Sequence, residues 1–115
     1  MYNALHLVEL YDFANTFEHI HVGLTLGITN PEMLNFFLFP ESFKISALDE
    51  INRCINKYPN ASNQLIPIRK QLESTLFTSR PNIVEDCITW HQAQESKYFN
   101  NQYNFLELWP EYSAK

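Results

Sequence analysis

The chain has few of the residues that build flexible linkers, metal clusters or membrane spans. Only two glycines and two cysteines occur among its 115 residues. The scarcity of glycine excludes long flexible linkers and Gly-rich phosphate-binding loops. Cys54 and Cys87 lie far apart in sequence, without metal-ligand spacing, which is typical of reduced core residues. No apolar run approaches the roughly 18 residues that a membrane span requires, so no membrane partner is expected.

Basic residues are also few. The chain has 8 Lys and Arg against 13 Asp and Glu, giving a formal net charge of -5, and neither sign forms a block. Nucleic acid binding needs clustered cations to displace counterions from phosphates, so no nucleic acid partner is expected. The first residues, MYNALHLVELYDF, contain acids and no basic segment, which argues against a secretory signal peptide. These features predict a soluble cytoplasmic protein.

Apolar residues are plentiful, at 45% of the chain with 15% aromatic, which predicts one small domain over residues 1–115. Apolar residues at helical spacing predict four main helices. They cover residues 3–17, 40–58, about 65–76, and a fourth segment from Pro81 onward, with a short final turn at 104–108. Pro67 fits the third helix only if it lies in the first turn.

One segment has a different period. His19–Leu26, HIHVGLTL, alternates strictly, which predicts a β-strand that Asn30-Pro31 ends. The predicted fold is therefore mainly α with a single β-strand (α+β). A lone strand has backbone groups that need partners, so it must pair with its copy in a homodimer, join the sheet of a protein partner, or belong to something larger. Each solution predicts association.

The order of short motifs resembles that of a known family. Thr29-Asn30-Pro31 follows the predicted strand, Leu38-Phe39-Pro40 precedes the long helix, and NFLELWPE lies near the end of the sequence at residues 104–111. This order is similar to the C-terminal part of twitch-type radical SAM proteins and covers nearly the whole chain. One departure stands out: at 99–102, where the family has Asp and Arg, this chain reads FNNQ.

The resemblance implies a class of function, but the chain lacks the cluster-binding loop that this class requires. Radical SAM chemistry needs a CxxxCxxC loop to hold a [4Fe–4S] cluster, and this chain has none, so it binds no such cofactor alone and is not catalytic by itself. The first hypothesis is a non-catalytic protein-binding or regulatory module derived from such a protein. The alternative is the C-terminal component of a split enzyme that completes a separate cluster-bearing chain. A short chain of this kind fits a viral or mobile-element genome.

Two pairs of polar residues near the predicted strand are candidate ligand sites. His19 and His21 project from one strand face and can hold a divalent metal if a third ligand arrives; the other interpretation is a solvent-facing strand surface. Asn30 either caps the segment after Pro31 or, with Thr25, belongs to a strand end that faces a ligand, as in a barrel.

Aromatic residues supply the remaining candidates for binding. Phe36, Phe37, Phe39 and Trp109 form either an exposed patch that docks a protein partner or part of the core. Together with the edge of the strand, this patch is the predicted docking surface.

Overall fold

Five α-helices make up most of the structure, a computed structural model that describes residues 2–16, 24, 26–28, 31–98 and 110–114. Short 3-10 turns precede α1 and α3, and two more fill the segment before α2. The helices are α1 (Leu7–Ala14), α2 (Glu41–Lys57), α3 (Ser62–Ser74), α4 (Ile83–Tyr98) and α5 (Glu111–Ala114). The prediction of four main helices is confirmed by α1 to α4, and the turn predicted at 104–108 lies outside the described residues.

Helix α2 is the central element and packs against both α1 and α3. Pro40 sets its N-terminal boundary with φ -58, and the helix runs 17 residues to Lys57. Its acid in the first turn, Glu41, and its base in the last turn, Lys57, both suit the helix dipole. The buried face repeats at the predicted helical spacing; it comprises Phe43, Lys44, Ala47, Glu50, Ile51 and Cys54.

Helix α3 corrects one prediction about proline. The helix begins at Ser62, so Pro67 lies in its second turn rather than its first. Pro67 has no N–H to donate to the carbonyl oxygen of Asn63, four residues earlier. Both residues are exposed, so water can replace the missing donor.

The predicted strand is not supported by the part of it that the structure describes. Residues 24 and 26 are not in a strand, and the rest of 19–26 lies outside the described residues. Instead, Gly27 forms an isolated antiparallel bridge with Asn35, and the Phe36 N–H donates to the Leu26 carbonyl at 2.9 Å. The chain reverses between these residues, so their backbone groups find partners within the same chain. The need for an external strand is therefore removed at this end of the segment.

The reversal depends on a close approach at Gly27. A Cβ atom at this position would lie 3.3 Å from a ring carbon of Phe37, tighter than ordinary van der Waals contact. The glycine thus lets the Phe37 ring pack against the backbone of the preceding segment.

An aromatic cluster fills the core between this segment, α2 and α5. Phe36 stacks on Phe39 with ring centroids 5.1 Å apart, and Phe39 meets Phe43 edge-on at 5.6 Å. Tyr112 of α5 stacks on Phe43 at 5.3 Å, so residues distant in sequence share one apolar cluster. All four side chains are less than 2% exposed. Within the described residues, no helix has the length and apolar character to cross a membrane.

Candidate partner-binding surface

The aromatic residues predicted to form a docking patch lie in the core. Phe36 and Phe39 are 0% exposed and Phe37 is 8% exposed, so these three residues are part of the core and do not form an exposed patch. These rings are buried by tertiary contacts, because the chain reversal at Gly27 and the α5 residue Tyr112 enclose them. A partner can reach them only if this packing opens.

The other residues singled out in the sequence lie outside the described residues. They are His19, His21, Thr25, Asn30 and Trp109. Their predicted roles as metal ligands, ligand contacts or partner contacts stay predictions. Among the described residues, no group of three or more His, Cys, Asp or Glu side chains could hold a metal ion.

The two cysteines are buried on different helices, as expected from their sequence context. Cys54 lies on α2 and Cys87 on α4, and both are reduced. Burial raises the pKa of the Cys54 thiol to about 11, with the carboxylates of Glu50 and Asp12 adding to the effect. Burial raises the pKa of the Cys87 thiol to about 12. Both thiols are therefore protonated and unreactive at neutral pH.

A polar cluster ties α1 to α2 and α3. Asp12 accepts hydrogen bonds from the Tyr58 hydroxyl and, at 2.7 Å, from the Lys57 ammonium. The hydrogen bond from Lys57, then that from Tyr58, lowers the pKa of Asp12. Tyr11 stacks on Tyr58 at 5.8 Å between centroids and donates its hydroxyl to Gln64 of α3. These contacts join helices, which makes the cluster a structural element.

Lys44 is the least expected side chain in the structure, because it is charged and 0% exposed. Its Nζ donates to the backbone carbonyl oxygen of Thr78 at 2.5 Å and to that of Thr75. Thr75 is the C-cap residue of α3, so the ammonium lies where the negative end of the helix dipole favours a cation. Burial lowers the pKa of Lys44. The buried cation therefore anchors the end of α3 to α2.

The segment that Lys44 anchors is a tight turn with an aromatic side chain at its tip. We call residues Thr75–Thr78 the Phe77 turn. The Thr78 N–H donates to the Thr75 carbonyl at 2.9 Å, and the Thr75 hydroxyl donates to Gln71 at 2.7 Å. Phe77 is 82% exposed, the highest value among the large hydrophobic residues that the structure describes as exposed. A large apolar ring is thus presented to solvent from a turn held at both ends.

An open groove of about 330 Å³ is lined by residues that directly follow the Phe77 turn in sequence. Ser79, two residues after Phe77, forms part of its rim. Two residues of chain span at most about 7 Å, so the backbone of Phe77 lies close to this part of the groove lining. The apolar part of the lining comes from three segments: Pro40, Pro81, Ile83, Val84, Ile88 and Tyr112.

The polar rim of the groove is fixed by Arg80. Its Nη2 donates to Asp86 at 2.7 Å, its Nη1 lies 3.7 Å from Glu32, and its backbone N–H donates to Leu38 at 2.9 Å. The Nε atom of Arg80 is buried and has no hydrogen-bond partner in the described part of the chain. Asn82 has φ 63, a left-handed conformation that asparagine tolerates, and its carbonyl accepts the first helical hydrogen bond of α4.

Comparison with known proteins does not assign the chain to a family. No family model, no curated protein and no solved structure matches the chain. The resemblance to radical SAM proteins is therefore carried by the sequence motifs alone.

Sequence reasoning missed both Lys44 and Phe77. Lys44 donates hydrogen bonds to main-chain carbonyl oxygens, and because every residue has one, no residue type in the sequence identifies these acceptors. Phe77 does carry a signal: it lies shortly after the end of α3, with Leu76 before it and the polar residues Thr78, Ser79 and Arg80 after it. A phenylalanine followed by polar residues between two helices is a candidate for exposure.

Proposed function

We propose that the chain is a non-catalytic protein-binding module that docks on its partner through the Phe77 turn. The observation that carries this proposal is the 82% exposure of Phe77 on a turn anchored by a buried lysine. Aromatic side chains are enriched among the few residues that dominate binding energy at protein interfaces. Insertion of one phenylalanine into a partner removes roughly 150–250 Å² of surface from water.

Preorganisation supports the same function. A loop that orders only on binding loses conformational entropy at that moment, which weakens the complex. The two carbonyl oxygens held by Lys44 lie on either side of Phe77, so the turn is ordered before a partner arrives. The energetic cost of burying an ammonium group is easier to understand if the turn it fixes has a binding role.

This surface takes the place of the docking surface predicted from the sequence. That prediction combined a strand edge with the Phe36, Phe37 and Phe39 rings. Residues Leu26 and Gly27 are paired within the chain, and the three rings are buried. The derivation from a radical SAM protein remains part of the proposal, with the motif order as its support.

The test is affinity capture from cells that produce the chain, with quantification of the bound proteins. Wild type is compared with Phe77→Ala and with Phe13→Ala, which removes another exposed phenylalanine, on α1. A hot-spot residue contributes 2 kcal/mol or more, so Phe77→Ala should lower partner recovery by about 30-fold, with Phe13→Ala close to wild type. Equal recovery with all three chains, each shown to be folded by circular dichroism, would contradict the proposal.

The split-enzyme alternative makes a different prediction. A component of a radical SAM enzyme should co-purify with a chain that carries CxxxCxxC, and the complex should contain iron and sulfide when prepared anaerobically. Recovery of such a complex would replace the binding-module function.

A further inference from the structure

We infer that α5 is a lid over the Phe39 and Phe43 rings, fastened by a clasp between His6 and Glu111 that loosens when the imidazole loses its charge. The lid goes beyond the proposed function, because it involves none of the residues of the Phe77 turn. It starts from a contact between two elements that are far apart in sequence. Nε2 of His6, at the start of α1, contacts Oε1 of Glu111, the first residue of α5.

Helix α5 depends on tertiary contacts for its position. It has four residues, and isolated helices shorter than about 12–15 residues are marginal in water. Tyr112 supplies an apolar contact, since it is 1% exposed, stacks on Phe43 and meets Phe39 edge-on with ring centroids 6.3 Å apart. Glu111 supplies a polar contact through His6. Release of α5 would expose the two phenylalanine rings and remove Tyr112 from the lining of the groove.

The charge of His6 sets the strength of the clasp. The contact with Glu111 is an ion pair only while the imidazole is protonated. Glu9 of α1 faces the other ring nitrogen, with its Oε2 3.7 Å from Nδ1, and from α2 Glu50 lies against the first turn of α1 and is paired with Arg53. Because the carboxylate of Glu111 is an anion, a charged imidazole binds α5 more tightly than a neutral one. Histidine changes charge between about pH 5 and 8, so the lid should be held more tightly toward the acid end of this range.

The clasp adjusts the lid by a modest factor. Its side chains are partly exposed, His6 at 36% and Glu111 at 23%. Ion pairs in contact with solvent shift an equilibrium by up to about fivefold. Loss of the imidazole charge should therefore raise the open fraction of α5 about two- to fivefold. The buried ring of Tyr112 makes the larger contribution to closure.

The two buried cysteines report on the lid and on the rest of the fold separately. Cys87 of α4 is 1% exposed and lies close to Tyr112, whose pKa is raised by burial and further by the Glu111 carboxylate and the Cys87 thiol. Movement of Tyr112 away from α4 should therefore uncover this thiol. Cys54 of α2 is 0% exposed and has the carboxylate of Asp12 nearby, so it serves as the control for wider unfolding.

The experiment labels the native chain with a pyridyl disulfide reagent between about pH 5.5 and 8 and follows each thiol by mass spectrometry of its peptide. Cys87 should react faster than Cys54. His6→Gln removes the charge, so at the acid end it should raise the Cys87 rate about two- to fivefold over wild type, with a smaller factor at pH 8 and no change at Cys54. Comparison at the same pH cancels the pH dependence of the thiol reaction itself.

Three further variants separate the clasp from the ring. Glu111→Gln should have the same effect as His6→Gln, and the double variant should add nothing to either, because all three lack the same ion pair. Tyr112→Ala removes the apolar contact and should raise the Cys87 rate by at least about tenfold, with circular dichroism showing that the helices remain. If His6→Gln does not fold, Glu111→Gln provides the same test.

Equal labelling rates at the two thiols, or no reaction at either thiol before global unfolding, would overturn the lid. An effect of His6→Gln that is the same at both ends of the pH range would overturn the charge dependence of the clasp. None of these variants alters Phe77, so the capture experiment on the Phe77 turn can succeed or fail independently of the lid.

Discussion

Replacing a phenylalanine by alanine should lower stability strongly at position 39 and hardly at all at position 77, because the Phe39 ring is buried and the Phe77 ring is exposed. Phe39 is 0% exposed and its ring lies within 6.3 Å of the rings of Phe36, Phe43 and Tyr112. A buried phenylalanine truncated to alanine loses about 3–5 kcal/mol of unfolding free energy. Three aromatic neighbours favour the upper half of this range.

The size of this loss is easily measured. A domain of this length is stable by about 5–15 kcal/mol, so Phe39→Ala removes about a fifth or more of the total. At about 4 °C per kcal/mol, its melting temperature should fall by roughly 12–20 °C. Phe77→Ala exposes no new core surface and should stay within about 0.5 kcal/mol of wild type.

The assay is urea unfolding followed by far-ultraviolet circular dichroism, with the slope checked for two-state behaviour. Phe39→Leu, with an expected loss of roughly 1–2 kcal/mol, keeps the test meaningful if the alanine variant does not fold. A loss below about 1 kcal/mol for Phe39→Ala, or a larger loss for Phe77→Ala than for Phe39→Ala, would refute the placement of these rings.

Three further predictions concern polar and thiol groups. Lys44→Met keeps the aliphatic stem and removes the ammonium, so amide hydrogen exchange should accelerate in the Phe77 turn; unchanged exchange would show that Lys44 does not order it. The pKa of Asp12 in the folded chain is below its ordinary value of 3.8, so the unfolded chain binds more protons as pH falls through this window. Stability should therefore drop below about pH 4, and urea titrations should find a shallower drop in Asp12→Asn. Cys54 and Cys87 should resist a thiol reagent at pH 8 in the native chain and react when it unfolds; fast native labelling would contradict their burial.

Helices were predictable from sequence because their signals are local. The stripe on α2 repeats every three or four residues, and Pro40 fixes where it starts, so the observed helix matches the prediction to within one residue at each end. The start of α3 was harder to predict from the sequence. The 3-10 turn at Pro59–Ala61 runs directly into Ser62, so the helix begins earlier than predicted and Pro67 lies in its second turn.

The strand and the aromatic patch show where local reasoning fails. Alternation describes which residues are apolar, but it carries no information about the chain reversal that pairs Gly27 with Asn35. The burial of Phe39 depends on Tyr112, which is remote in sequence and joins it only in the folded chain. Likewise, Lys44 recognises backbone oxygens, so its role is visible only in three dimensions.

The most direct measurement of the central claim is photo-cross-linking from position 77 in cells that produce the chain. A photoreactive benzoylphenylalanine replaces Phe77 in one chain and Phe13, exposed at 62% on α1, in the control. The account predicts a defined cross-linked species from position 77, whether a second copy or another protein, and much less from position 13. No cross-link from position 77, or the same products from both positions, would contradict a binding role for the Phe77 turn.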